Sequence, residues 1–141
     1  MNKVGPIIII EDDEDDQEIM QEVFREVDAE QELIFFTDGE QAYEYLTATN
    51  VKPFLIISDI NMPRLNGFEL RDKVHNTEQL KLKCIPFLFF TTSAEQQMVI
   101  DAYSKSAQGF FVKPHTYDHL VHYIKAILDY WKVCEAPAIT T

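Results

Sequence analysis

The sequence lacks the features that mark secreted, membrane and nucleic-acid-binding proteins. It has no signal-peptide pattern and no apolar run near the roughly 20 residues that a membrane span requires. Its two cysteines, Cys84 and Cys134, lie in no C-x-x-C motif, so we predict reduced, structural thiols in a cytoplasmic protein. Only 12 Lys and Arg stand against 24 Asp and Glu, which argues against nucleic acid as a partner. We therefore predict neither a membrane nor a nucleic-acid partner.

The length and composition of the chain are typical of one globular domain. The chain has 141 residues, and 46% of them are hydrophobic, enough for a single substantial core. Its net charge of −12 is compatible with a cation site or with partners that present basic surfaces. No repeat or second-domain boundary interrupts it, so we predict one domain over 1–141, ending in the short tail 133–141.

Five short apolar runs alternate with helical patterns along the chain. Near-continuous runs of Ile, Leu and Phe are typical of parallel strands that helices cover on both faces. Strict alternation of strand and helix predicts an α/β fold with a doubly wound, five-stranded parallel sheet. The predicted strands are Ile7–Ile10, Glu32–Phe36, Phe54–Ser58, Pro86–Phe90 and Gly109–Val112.

The helices are predicted from apolar stripes and from capping residues. Thr37 with Glu40, and Ser93 with Gln96, have the spacing of capping boxes and predict two helix starts. The fourth predicted helix, over residues 94–106, has the fewest apolar residues to bury. The first helix carries an apolar stripe of Ile19, Met20, Val23, Phe24 and Val27.

Polar side chains follow four of the five predicted strands. Glu11 and Asp12 come directly after the first strand, Asp59 after the third, Thr91 after the fourth and Lys113 after the fifth. In open α/β sheets, ligands bind beyond the carboxyl ends of the strands. Carboxylates with few nitrogen or sulfur ligands favour a hard cation, and Mg²⁺ uses one or two carboxylates with waters and a phosphate. The sequence therefore predicts a site that places a phosphoryl group beside a carboxylate.

These motifs, in this order, resemble the receiver domain of two-component response regulators over roughly residues 4–132. The resemblance implies a flavodoxin-like sheet in the order 2-1-3-4-5 and a signalling protein rather than an enzyme. The pieces that carry it are "IIIIEDD", "TDGEQAYEYL", "SDINMPRLNG", "PFLFFTTS" and "GFFVKP".

The resemblance also implies a role for each residue of the predicted site. Asp59 would accept the phosphoryl group, Thr91 would hydrogen-bond its oxygen, and Lys113 would pair with it. Phe110 would be the aromatic switch residue that moves inward with Thr91. The Mg²⁺ ligands would be Glu11 through water, Asp12, Asp59 and the backbone carbonyl of Asn61.

The implied partners are proteins. A sensor histidine kinase or a phosphotransfer protein would supply the phosphoryl group, and a target protein or a second copy of the chain would receive the signal. Three features resemble standalone regulators of the phytochrome-partner type: a chain little longer than the receiver pattern, the connection "HNTEQLKLKCIP" and the "YW" near the end. The implied output surface lies on the fourth helix, the fifth strand and the fifth helix.

Simpler interpretations apply to several of these residues. Residues 13–16 are acidic and start the first helix, where carboxylates favour the positive end of the dipole, so we interpret them as solvated. His115, His119 and His122 have a spacing that can ligate a metal, but solvated helix histidines are commoner. Gly67 is interpreted as a turn residue with positive φ.

Three other functions compete with a phosphorylated receiver. The nearest is a receiver-like module that binds partners without phosphorylation. A flavodoxin-like electron carrier shares the predicted sheet order, but six carboxylates after the first strand would repel a flavin phosphate. A phosphatase of the haloacid dehalogenase type needs an Asp two residues after its nucleophile, where this chain has Asn61.

Overall fold

Strands and helices alternate from one end of the chain to the other. The computed structural model describes residues 1–48, 50–92 and 95–137. The strands are β1 (Ile7–Ile10), β2 (Leu33–Phe36), β3 (Leu55–Ser58), β4 (Phe87–Thr91) and β5 (Gly109–Val112). The helices are α1 (Glu14–Glu26), α2 (Gly39–Ala48), α3 (Gly67–Asn76), α4 (Glu78–Lys81), α5 (Gln96–Ser104) and α6 (Tyr117–Val133).

All strand pairs are parallel, and the order across the sheet is β2-β1-β3-β4-β5. The predicted doubly wound sheet and its order are confirmed. From β1 the chain adds β2 on one side of the sheet and β3, β4 and β5 on the other. The topological switch point therefore lies between β1 and β3. Because the strands are parallel, the side chains that follow them meet at one edge, which we call the carboxyl edge.

The strands bury side chains on both faces, because each face is covered by its own set of helices. Ile7 and Ile9 of β1 pack with α1 and α6, whereas Ile8 and Ile10 pack with α2, α3 and α5. Residues of one strand alternate between the two faces of the sheet. A run of apolar residues without polar interruptions is therefore what a two-sided core requires, which explains the four consecutive isoleucines.

Two helix starts differ from their predictions. The first turn of α2 is capped by Asp38, whose Oδ1 accepts a hydrogen bond from the Gln41 amide at 2.8 Å. Thr37 instead donates its hydroxyl to the side chain of Gln41, so the predicted Thr37–Glu40 box is wrong. Ser93 lies outside the described residues, and α5 begins at Gln96.

Two further features of the helices are relevant to the site. Gly67 begins α3 without positive φ, so its predicted conformation is wrong. A Cβ at this position would lie 2.3 Å from the Asp59 carbonyl oxygen, so glycine is needed for close approach. Among the described helices, none is both long and apolar enough to cross a membrane.

Candidate functional site

The carboxyl edge brings together the polar residues that follow the central strands. Glu11 follows β1, Asp59 follows β3, Thr91 ends β4 and Lys113 follows β5. Backbone hydrogen bonds continue the sheet to these residues: the Asp59 amide donates to the Ile10 carbonyl at 3.0 Å, and the Lys113 amide donates to the Thr91 carbonyl at 2.7 Å. The site is therefore held in place by the hydrogen-bonded sheet.

The ammonium group of Lys113 is the centre of the hydrogen-bond network. Its Nζ lies 2.7 Å from Glu11 Oε2, 3.0 Å from Asp16 Oδ2 and 3.3 Å from Asp59 Oδ2. One cation thus contacts three carboxylates, each from a different element. The site keeps an excess of negative charge, since the ammonium neutralises only one of them.

Asp59 is held so that its two carboxylate oxygens differ. The residue is 8% exposed, and its Oδ1 accepts a hydrogen bond from the Ile60 amide at 2.6 Å. Its Oδ2 faces Lys113. The glycine at the start of α3 brings that helix against the Asp59 backbone, and the Gly67 amide donates to the Ile60 carbonyl at 2.9 Å. This packing fixes the position of the carboxylate.

Burial and neighbouring charges shift the ionisation of the central pair. Burial raises the pKa of Glu11 to about 7, with a further contribution from the charge of Asp59, while Lys113 opposes the shift. Burial alone would lower the pKa of Lys113, but its hydrogen bonds and the charges of Glu11, Asp59 and Asp16 outweigh burial and raise that pKa. Lys113 is therefore a permanent cation at neutral pH.

Three carboxylates at this edge are close enough to share a metal ion. One oxygen each from Glu11, Asp12 and Asp59 lie within 4.8 Å of one another. An all-oxygen donor set with a solvent-facing member fits Mg²⁺ or a similar hard cation, which retains waters when bound to proteins. Asp12 is the exposed member, and Asn61 is also exposed. The donor chemistry therefore fits the predicted ion.

Thr91 and Phe110 lie on the neighbouring strands β4 and β5. Thr91 is fully buried, and its hydroxyl Oγ1 has no hydrogen-bond partner among the described residues. A buried hydroxyl without a partner is costly, so such groups require an explanation. Phe110 is half-buried and packs against the core, with its ring centroid 6.5 Å from that of Phe89. The structure thus records Phe110 in contact with the core.

Asp16 is the residue of this network that the sequence did not predict. We interpreted residues 13–16 as solvated, and Asp13 does cap α1 by accepting from the amides of Asp15 and Asp16. The side chain of Asp16, however, bonds Lys113. Its position in the sequence could have indicated this contact, because Asp16 lies in the first turn of a helix that starts at the carboxyl edge.

The histidines of α6 and of the loop before it take no part in a metal cluster. Within the described ranges, they belong to no group of three close ligand residues. His115, His119 and His122 are exposed, in keeping with the simpler interpretation.

A cavity of about 180 Å³ opens beside Lys113 between α1 and the start of α6. Glu11, Asp16, Asp59 and Lys113 line its polar side, and apolar side chains of both helices and of β1, β3 and β4 line much of the rest. The acidic site therefore continues into an apolar cleft, which gives a bound group contact with both kinds of surface.

The sheet order and the acidic edge define a phosphoacceptor signalling domain of the two-component type. The chain belongs to the response regulator receiver domain family, which it matches over residues 7–125. Receiver domains accept a phosphoryl group on an aspartate and act as signalling proteins. The predicted family is thereby confirmed.

Particular relatives of the chain are response regulators of similar length. The chain is 28% identical over 130 residues to response regulator Rcp1 of Synechocystis, covering 89% of this chain and 87% of that protein. A phosphorylated cyanobacterial phytochrome response regulator, RcpA, has a TM-score of 0.85 at 24% identity, with 95% of this chain and 99% of that chain covered. The Mn²⁺-bound form of Rcp1 has a TM-score of 0.81 at 27% identity, with the same coverage.

Proposed function

We propose that Asp59 is the phosphoacceptor of this receiver. One carboxylate oxygen attacks the phosphorus of a phosphohistidine on a sensor histidine kinase or a phosphotransfer protein. An O–P bond forms as the P–N bond breaks, and the imidazole leaves with the electron pair. Such a transfer depends on positioning and on charge neutralisation. The fixed carboxylate and the adjacent ammonium of Lys113 are suited to both.

One observation carries this proposal: a buried carboxylate, a permanent cation and an unpaired buried hydroxyl meet at one strand edge. Lys113 lies 3.3 Å from Asp59, so it is ready to pair with an added phosphoryl dianion. Thr91 Oγ1 lacks a partner, and a phosphoryl oxygen would provide its acceptor. The cost of the unpaired hydroxyl would then be removed in the phosphorylated state.

The same proposal assigns the metal ligands. Glu11 through water, Asp12, Asp59 and the backbone carbonyl of Asn61 would hold Mg²⁺, which would neutralise charge on the phosphoryl oxygens. The three-carboxylate cluster within 4.8 Å supports this assignment. Lys113 would neutralise further negative charge of the phosphoryl group.

We further propose that the donor is a phytochrome-type histidine kinase and that the reaction occurs in the cytoplasm, where ATP supplies such kinases. The similarity to Rcp1 and RcpA supports this partner. Phe110 would follow Thr91 inward as the switch residue, and the change would reach a target protein or a second copy through α5, β5 and α6. Exposed Ile100 and Tyr103 on α5 and Tyr130 on α6 supply apolar contact area there.

The test is the intact mass of the protein after incubation with acetyl phosphate and Mg²⁺. Wild type should gain one phosphoryl group, and the gain should require the metal. Asp59→Asn should gain none, because its amide is not a nucleophile. Asp15→Asn is the matched control, since Asp15 is an exposed residue of the same acidic run; it should behave as wild type.

A wild-type adduct that persists in Asp59→Asn would assign the acceptor elsewhere. Absence of any adduct, also with a kinase supplied as donor, would favour the phosphorylation-independent binding module. Titration of Mg²⁺ distinguishes a defective site from an intact one that is not phosphorylated, because an intact acidic cluster still binds the ion.

A further inference from the structure

A second buried cation, Arg71 of α3, lies outside the site at the carboxyl edge. The residue is 6% exposed. Its Nη2 donates to the Ser106 carbonyl at 3.2 Å, and its guanidinium carbon lies 6.0 Å from the centroid of the Phe87 ring. Its Nε has no hydrogen-bond partner among the residues described. The guanidinium therefore keeps a buried N–H donor, at Nε, without a partner among the residues described.

No carboxylate of the described chain neutralises this cation by an ion pair. The adjacent Asp72 bonds Lys105 at 3.0 Å instead, although its charge still raises the pKa of Arg71 against the larger, lowering effect of burial. An arginine keeps its proton in proteins. A buried charge without a partner is destabilising, so an anion bound at this guanidinium would stabilise the folded protein.

Arg71 lines a cavity of about 450 Å³ near the starts of β4 and β5, at the edge of the sheet opposite the acidic site. This volume falls in the range of about 300–1,000 Å³ that small-molecule sites occupy. The charge of the lining contrasts with that of the acidic chain as a whole. Besides Arg71, the cavity is lined by Lys81 and by Met1, which carries the amino-terminal ammonium, and Glu135 is the acid. The apolar part of its wall includes Val74, Leu80, Ile85, Phe87 and Trp131.

We propose that this cavity binds a small carboxylic acid with an apolar body, and that Arg71 binds its carboxylate. A guanidinium presents paired N–H donors that match the two oxygens of a carboxylate. The guanidinium of Arg71 matches a single carboxylate, and the apolar wall matches a hydrocarbon chain or ring. This site is independent of phosphorylation at Asp59.

Binding is measured through Trp131, the single tryptophan of the chain, which lines the cavity. Octanoate and phenylpropionate are the probes, because they distinguish a fatty acid from an aromatic acid. Octanol is the neutral control with a similar chain. At least one acid should cause a saturable change in tryptophan emission, and octanol should bind at least tenfold more weakly.

Four variants test the proposal, two of them at the guanidinium itself. Arg71→Leu should weaken binding of the acid at least tenfold, with Arg71→Gln as the second variant if the leucine protein does not fold. Arg25→Leu removes an exposed arginine of α1 and should leave binding unchanged. Glu135→Gln removes the acid of the cavity and should strengthen binding about twofold.

Several outcomes would overturn the proposal. These are the absence of saturable binding by either acid, equal binding of octanol and octanoate, or unchanged binding by Arg71→Leu. The mass experiment at Asp59 is separate, since a protein that gains the phosphoryl group normally can still fail to bind the acid, and the reverse also holds.

Discussion

The two edges of the sheet each bury a cation, but they surround it differently. Lys113 contacts three carboxylates within 3.3 Å at the carboxyl edge. Arg71 contacts a backbone carbonyl and an aromatic ring at the opposite edge. The first cluster has too much negative charge and favours an added cation. The second has an unpaired positive charge and favours an added anion.

The difference predicts opposite responses to the loss of each cation. Removing Lys113 leaves buried carboxylates that repel one another, whereas removing Arg71 relieves a burial cost that no counter-charge offsets. Burying a charge is unfavourable at both edges, but only at the carboxyl edge do nearby opposite charges of the protein offset the cost. Substitutions at the two edges should therefore change the stability of the protein in opposite directions.

The largest effect is expected from Lys113→Met. In buffer without metal near neutral pH, the free energy of unfolding should fall by about 3 kcal/mol, as for the loss of one partner of a buried ion pair. Urea denaturation measures the change. Added Mg²⁺ should restore part of the lost stability, because the ion binds the folded protein at the carboxylates that Lys113 no longer neutralises. Equal stability of the variant and wild type would show that the network contributes nothing.

Glu11 should give the next largest effect, as a dependence of stability on pH. Its folded pKa of about 7 lies above the ordinary 4.5, so the folded state holds this proton more tightly than the unfolded chain. The stabilising contribution is full below the ordinary value and is lost as the pH rises through the raised one. We expect a loss of about 2 kcal/mol without metal.

Glu11→Gln is the control for this prediction, because the amide does not titrate. Urea denaturation of both proteins across the same pH range isolates the contribution of Glu11 from that of other carboxylates. The difference between wild type and variant should change with pH in the stated direction. A difference that stays constant would contradict the raised pKa.

The fold was largely predictable, because burial on two faces leaves a simple pattern. Each strand lies within one residue of its predicted bounds, since continuous apolar runs end where the sheet meets polar residues. The four-residue helix α4 was not predicted, as one turn is too short for an apolar period. The predicted cap of α2 is wrong, because Thr37 and Asp38 are both suitable capping residues and sequence spacing alone does not decide which of them caps the helix.

The site was predictable where a strand end fixes the position of a side chain. Of the expected side chains at the carboxyl edge, Glu11, Asp59 and Lys113 directly follow their strands, Thr91 is the last residue of β4, and Asp12 lies two residues after β1. Asp16 and Arg71 were not assigned, because their surroundings depend on distant parts of the chain. Asp16 meets Lys113 from 97 residues away in sequence, and Arg71 meets Ser106 from 35 residues away. A charged residue on a helix is ordinarily exposed, so sequence alone favours the wrong environment for Arg71.

Arg71→Leu should have a smaller effect of the opposite sign. Without ligand, we expect the free energy of unfolding to rise by about 1 kcal/mol, since an apolar side chain replaces an unpaired buried charge. Thermal or urea denaturation measures the change, and Arg25→Leu should remain close to wild type. A clear loss of stability in Arg71→Leu would mean that its contacts with Ser106 and Phe87 outweigh the cost of burial.

The smallest effect is expected from Arg64→Ala, which removes a cation that is neither buried nor central. Arg64 Nη1 lies 3.7 Å from Asp38 Oδ2, with side chains 63% and 5% exposed. An exposed partner in water keeps such a pair below about 1 kcal/mol, and we expect less than about 0.5 kcal/mol here. Alanine retains the Cβ at this left-handed position, so backbone strain is unchanged. Asp38→Ala should cost about 1 kcal/mol, because it also removes the cap of α2. If Arg64→Ala proved as damaging as Lys113→Met, burial would not be what separates strong charge contacts from weak ones in this protein.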